Sequence, residues 1–127
     1  MQNEKVKPKR DLKKRTFYFA KRSTELVTKL PENLVNTQLG VQYLKAATSV
    51  GANYREADGA ESARDFLHKI GIVIKEAKES LYWLGVLQHA NRKIKSLEPE
   101  FEWLINEAEE LTKIFSRINL NVKSKLK

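Results

Sequence analysis

The chain has no cysteine, only two histidines, three prolines and five glycines in 127 residues. Without cysteine there can be no disulfide, thiolate zinc site or cysteine nucleophile, and a reducing cytosol suits such a chain. No apolar run approaches the roughly 20 residues that a membrane-spanning helix requires. The basic N-terminus leads into no apolar segment of the kind a secretory signal carries. These absences predict a soluble, cytoplasmic protein. No segment alternates apolar and polar residues with the period of a strand, and no repeat recurs at a solenoid period. Catalytic motifs are also missing: no His-Glu-x-x-His, no phosphate-binding glycine loop and no Gly-x-Ser-x-Gly. Asp65-x-x-His68 has the spacing of half a di-iron motif, but the second half is not there. No cofactor or metal is expected, and few side chains are left for general-base or nucleophilic catalysis. The chain does not read as an enzyme.

What is present is apolar content of 41%, charged content of 31% and a net charge of +8. This is the composition of one helical domain with a single core. The charge is uneven. Residues 1–30 hold ten Lys/Arg against three Asp/Glu, and residues 31–127 hold fourteen against thirteen. Residues 98–110 carry six Glu and no base, whereas residues 117–127 carry four bases and no acid. A near-neutral bundle with basic ends attracts phosphates at long range, less so as salt rises; solvated, solubilising termini are the plainer reading.

Four helices follow from the apolar spacing. Residues 1–8, polar and closed by Pro8, read as a disordered leader, residues 9–118 as the bundle and residues 119–127 as a basic flexible tail. In residues 9–29, Leu12, Thr16, Phe19, Ser23 and Leu26 recur at intervals of three and four. Leu30-Pro31 ends this helix because a residue before proline avoids the helical region. Asn36 or Thr37 is expected to cap the second helix, whose stripe is Leu39, Tyr43, Ala46, Val50, Asn53, Ala57 and Ala60. Gly51 and Gly59 imply a close backbone approach or a helix end near residue 59. Ser62-Ala63-Arg64-Asp65 resembles a capping box opening the third helix. The stripe of that helix runs through Phe66, Ile70, Val73, Ala77, Ser80, Leu84 and Leu87. Asn91 ends it. Pro99 marks the first turn of the fourth, with Phe101, Leu104, Ala108, Leu111, Phe115 and Ile118 as its stripe. The expected fold is all-α, an antiparallel up-and-down four-helix bundle.

Three groups of side chains are candidates for function. Asn53 sits in an apolar stripe and must find partners, since a buried amide left alone costs about 1–3 kcal/mol. Glu56, Glu76 and Glu79 are its candidate partners in a structural polar clasp, with Arg55 and Arg64 as further ones; the alternative is a polar patch that lines a partner or ligand surface. Phe17, Tyr82, Trp83 and Trp103 exceed what a small monomeric bundle hides, which points to a self-association interface. Stacking on unpaired bases is a second reading for Phe17 beside its lysines. Arg10, Lys14, Lys21 and Arg22, with Arg55 and Arg64 as contributors, form the candidate nucleic-acid-binding set.

The ordered string Thr48-Ser49-Val50-Gly51-Ala52-Asn53-Tyr54-Arg55-Glu56-Ala57, then Asp65-Phe66, His68-Lys69 and Lys75-Glu76-Ala77-Lys78-Glu79-Ser80-Leu81-Tyr82-Trp83-Leu84, resembles the family named for the intervening-sequence protein of 23S ribosomal RNA. The Leu30-Pro31 turn also matches. The resemblance implies a four-helix bundle assembling into a ring-like homopentamer, with no established catalytic activity. It places relatives within insertions of bacterial 23S ribosomal RNA genes. It also relates the chain to accessory bundles of diversity-generating retroelements, which bind nucleic acid and a reverse transcriptase. The resulting expectation is a non-enzymatic homo-oligomer that binds structured nucleic acid, RNA in preference to DNA, through its basic surface. The alternative is a protein-interaction scaffold or accessory subunit without direct nucleic-acid contact.

Overall fold

The structure is a computed structural model that describes residues 11–126. The expected leader and Arg10 lie outside the described residues. Helix α1 spans Leu12–Lys29, α2 spans Leu34–Asp58, α3 spans Ala63–Ala90, and α4 spans Glu98–Lys125 after a 3-10 turn at Lys95–Leu97.

Each boundary has a local cause. Leu30 takes an extended conformation (ψ 145°) before Pro31, which stops α1. Asn33, in extended backbone, accepts a hydrogen bond from the Asn36 amide and caps α2. The helix therefore begins one turn before the expected Asn36 or Thr37 cap, and Asn36 is left free for the core. Ser62 caps α3 by accepting from the Asp65 amide at 3.0 Å, as the capping-box pattern predicts. Pro99 lies in the first turn of α4, where its missing N–H costs nothing. The expected fraying from residue 119 does not occur. Helix continues to Lys125, with Lys123 and Lys125 in a last turn whose exposed carbonyls favour cations.

Contacts across the interfaces set the topology. Ser23 meets Tyr43 and Thr16 meets Gly51, so α1 and α2 run antiparallel. Asn36 meets Asn91 and Glu56 meets Lys69, so α2 and α3 do too. Arg15 meets Glu107 and Arg22 meets Glu100, which closes the bundle between α1 and α4. The core follows the predicted stripes: Leu12, Phe19 and Leu26 from α1, Tyr43 and Val50 from α2, Ile70, Val73, Leu84 and Leu87 from α3, and Phe101, Leu104, Leu111 and Phe115 from α4 are all buried. Gly51 is the close approach its residue type suggested. A Cβ there would lie 3.0 Å from Thr16 Oγ1 and 3.5 Å from the Thr16 backbone carbon. Thr16 is held in place by donating to the Leu12 carbonyl at 2.8 Å, so it cannot turn aside freely.

The buried polar side chains are all partnered among the described residues. Asn36 and Asn91 form a reciprocal amide pair, each donating Nδ2 to the other's Oδ1, at 3.0 and 2.9 Å. Their remaining donors reach the carbonyls of Pro31 and Leu87. The Ser23 and Tyr43 hydroxyls share a hydrogen bond of 2.6 Å, and burial pushes the Tyr43 phenol above its ordinary range. These two devices tie α2 to α3 and to α1. They hold register, because an axial slip would strand buried donors and acceptors.

Candidate nucleic-acid interface

Helix α1 carries most of the described charge that singles out this end of the sequence, and its cations fall on different sides. Arg15 and Arg22 face α4. Arg15 Nε donates to Glu107 at 2.6 Å with a second bond of 3.1 Å. Arg22 makes the same fork to Glu100 at 2.8 and 3.0 Å. Arg22 also donates to the Tyr18 hydroxyl at 3.0 Å and lies 4.1 Å above the Trp103 ring. Both pairs are largely shielded, with side-chain exposures of 12–25%. The hydrogen bond from Arg22 holds the Glu100 carboxyl below its ordinary range, and the same bond raises Arg22. Arg22, expected to bind phosphate, is therefore committed to Glu100. Its guanidinium has already exchanged water for a carboxylate fork and an aromatic face. Lys13 pairs with Asp58 across the α1–α2 seam at 2.9 Å.

Lys29 stands exposed in the last turn of the helix, and Lys14 and Lys21 remain. Both are exposed, and neither has an acid within ion-pair reach among the described residues. Between them, three and four residues away on the same outer side, stands Phe17, 52% exposed. Lys21 Nζ lies 4.8 Å from its ring centre, and Arg55 of α2 approaches to 5.7 Å. Phe17 is not among the side chains packed on the core. Lys14, Phe17, Lys21 and Arg55 thus form one cluster from two helices, an exposed ring among cations that have no ion-pair partner among the described residues.

Arg64 lies elsewhere. It lines a groove between α3 and α4 with His68, Lys75, Asn119 and Lys123 over an apolar floor that includes Leu67 and Ile74. With Arg10 outside the described residues and Arg22 on the α1–α4 seam, the rest of the expected binding set falls on two surfaces, one on α1–α2 and one on α3–α4.

The expected clasp around Asn53 does not form. Asn53 is half-buried and donates to the Ser49 carbonyl of its own helix at 2.8 Å. Glu56 instead takes an exposed bond from Lys69 at 2.9 Å. Glu76 is raised above its ordinary value by burial, with Glu79 adding to it, so these two acids repel rather than clasp. The clasp that exists is Asn36–Asn91, residues read from sequence as a cap and a helix end. Nor do the four interface aromatics share a patch. Trp103 packs edge-on to Tyr18 at 5.5 Å beneath Arg22, which accounts for it within the chain. Tyr82, 64% exposed, meets Trp83 edge-on at 5.0 Å. That pair borders a shallow groove with Gln42, Lys75, Lys78 and Glu79. Phe17 belongs to the basic cluster on α1–α2.

One signal for the α1–α4 pairing was available. Arg15 and Arg22 are seven residues apart, as are Glu100 and Glu107, the matched spacing of two facing helices. Among the described residues no group of three or more His, Cys, Asp or Glu is placed to hold a metal, and no helix is long and apolar enough to cross a membrane.

The fold and its surface define a four-helix bundle that keeps its two shielded arginine–glutamate pairs on the α1–α4 seam and carries exposed cations on its outer faces. The sequence profile of the 23S rRNA-intervening sequence proteins matches residues 9–117, most of the chain, and the protein belongs to that family. The fold is also similar to a crystal structure from Bacteroides thetaiotaomicron, described as a protein of unknown function from the S23 ribosomal protein family. The two are 33% identical, with a TM-score of 0.70 over 84% of this chain and 96% of that one. No functionally curated protein matches the chain.

Proposed function

We infer that the protein is a non-enzymatic helical bundle that binds structured RNA through phosphates, with Lys14, Lys21 and Arg55 as the principal contacts. The observation that carries this reading is their convergence around Phe17 with no ion-pair partner among the described residues, beside Lys13, Arg15 and Arg22, which are internally paired. The family name, which ties its members to an intervening sequence of 23S rRNA, favours RNA over DNA. Arg64, with Lys75 and Lys123, supplies a second basic surface on the far side. A cytoplasmic site of action is part of this reading.

Self-association belongs to the same proposal, with a homopentamer as the expected form. Tyr82 and Val41 are exposed, as is Leu34, and Gly85 on α3 has nothing within 4 Å of the place a Cβ would take. A glycine inside an exposed helix costs about 1 kcal/mol against alanine, so its presence is economical where a second surface comes close. Repetition of the basic cluster around an oligomer would multiply modest phosphate contacts through avidity.

Fluorescence anisotropy with a 23S-type RNA hairpin and a matched DNA duplex, over a series of salt concentrations, tests the proposal. Binding that is stronger for RNA and falls as salt rises supports it. If neither binds at low salt, the proposal fails. A second reading, a scaffold or accessory subunit that docks another protein, rests on the Tyr82–Trp83 groove. It gains if a stoichiometric protein partner is recovered that survives nuclease treatment.

A further inference from the structure

We propose that Phe17 is a stacking platform for an unpaired base, so that the RNA is taken at a loop or bulge rather than along a duplex. The inference rests on the RNA-binding reading and specifies which part of the RNA is engaged. Three observations carry it. Phe17 is 52% exposed and takes no part in the core, which on α1 is built from Leu12, Thr16, Phe19, Ser23 and Leu26. The ring is flanked by Lys21 at 4.8 Å and by Arg55 at 5.7 Å, cations delivered by two different helices. Lys14, one turn before Phe17 on the same outer side, has no ion-pair partner among the described residues.

An aromatic ring among lysines and arginines is the element that single-stranded nucleic-acid sites combine: the ring takes the face of a base, and the cations take the phosphates on either side. A paired duplex cannot use the ring. Its base faces are stacked inside, and A-form RNA offers mainly phosphates and 2′-hydroxyls to side chains. Phosphate attraction alone would be served as well by a polar residue at position 17. The other exposed aromatics are engaged within the chain, and the lysines near Tyr82, Lys75 and Lys78, share their groove with Glu79. Tyr18 is tied to Arg22 and Trp103, and Tyr82 leans on Trp83.

The test uses the full chain and two RNAs of one sequence family: a stem-loop with 2-aminopurine in the loop, and a fully paired duplex with the same stem. The wild type should bind the stem-loop more tightly and change the 2-aminopurine emission on binding. Phe17→Ala should weaken stem-loop binding by about five- to 150-fold, the worth of one stacked base. It should abolish the emission change and leave duplex binding unaltered. Phe17→Trp should retain both. Because Phe17 is exposed and outside the core, a thermal melt of F17A should match the wild type. Equal wild-type affinity for stem-loop and duplex, or an F17A affinity within twofold of wild type, would overturn the platform while leaving phosphate-mediated binding in place. Failure of the wild type to bind either RNA would overturn the platform together with the RNA-binding reading.

Discussion

The two sides of helix α1 carry similar residues with opposite fates. Toward α4, Arg15 and Arg22 are each forked onto a glutamate and shielded from water. On the outer side, Lys14 and Lys21 stand exposed around Phe17, joined by Arg55. A count of basic residues treats both sides as one patch. Subtracting the internal pairs leaves a smaller cluster, and that residue of charge is what can meet a polyanion. The choice of side chain fits this division. Arginine's planar fork suits a fixed carboxylate, whereas lysine is a mobile point charge for a phosphate backbone.

The comparison breaks most visibly if the outer side is reversed in sign. K14E/K21E should weaken RNA binding by roughly tenfold or more at low salt and flatten the log–log salt slope by about 1.4–1.8, because two phosphate contacts are lost. The melting temperature should hardly move, since neither lysine has an ion-pair partner among the described residues and the contact of Lys21 with Phe17 is exposed. Anisotropy and calorimetry on the same samples check both.

Reversing the order of sensitivity, Arg22→Ala should cost about 2 kcal/mol of stability, from the fork to Glu100 and the packing on Trp103. RNA affinity should hardly change. Urea unfolding measures the first and anisotropy the second. Of similar size, Asn36→Ala should cost about 1–3 kcal/mol by stranding the Asn91 amide. The double variant with Asn91→Ala should cost less than the sum, because neither amide is then left to find a partner.

A pH scan sharpens the contrast further. In the fold Glu100 titrates below its unfolded value, near the ordinary 4.5, because of the bond from Arg22. A carboxyl depressed in the folded state contributes stability above its unfolded value and loses it as pH falls through its folded value. Stability should therefore drop below about pH 4.5 in the wild type, and Glu100→Gln should flatten that drop. Denaturant midpoints between pH 7 and pH 3 show it. Glu76 has the opposite sign. Burial raises it, so its charged form opposes folding at neutral pH. Glu76→Gln should stabilise slightly, the smallest effect here, seen as a small upward shift in melting temperature that fades as pH falls.

Much of the fold was legible because it depends on near neighbours in sequence. Stripes of period 3.6, the Ser62 cap, the Pro99 start and the Leu30-Pro31 stop all act within a turn or two. Gly51 signalled a close backbone, and Thr16 supplies it. What was not legible depends on distant partners. Asn36 reads as a cap until Asn91, 55 residues on, is seen to complete its hydrogen bonds. Arg22 reads as a phosphate ligand until Glu100, 78 residues on, is found beside it. Asn53 looked buried on the stripe, yet a bond to the Ser49 carbonyl one turn back satisfies it without any acid. Exposure of Phe17 was readable from the helical wheel. That Arg55 reaches it from α2 was not, because the angle at which two helices pack is not written in either one.

The most direct test of the division of α1 is a paired measurement on K21E and R22Q. For each, the melting temperature and the salt slope of RNA binding are determined together. The account predicts that K21E flattens the slope with no change in melting temperature, while R22Q lowers the melting temperature and keeps the slope. If R22Q flattens the slope and K21E leaves it intact, the ion-paired side carries the binding and the division is wrong.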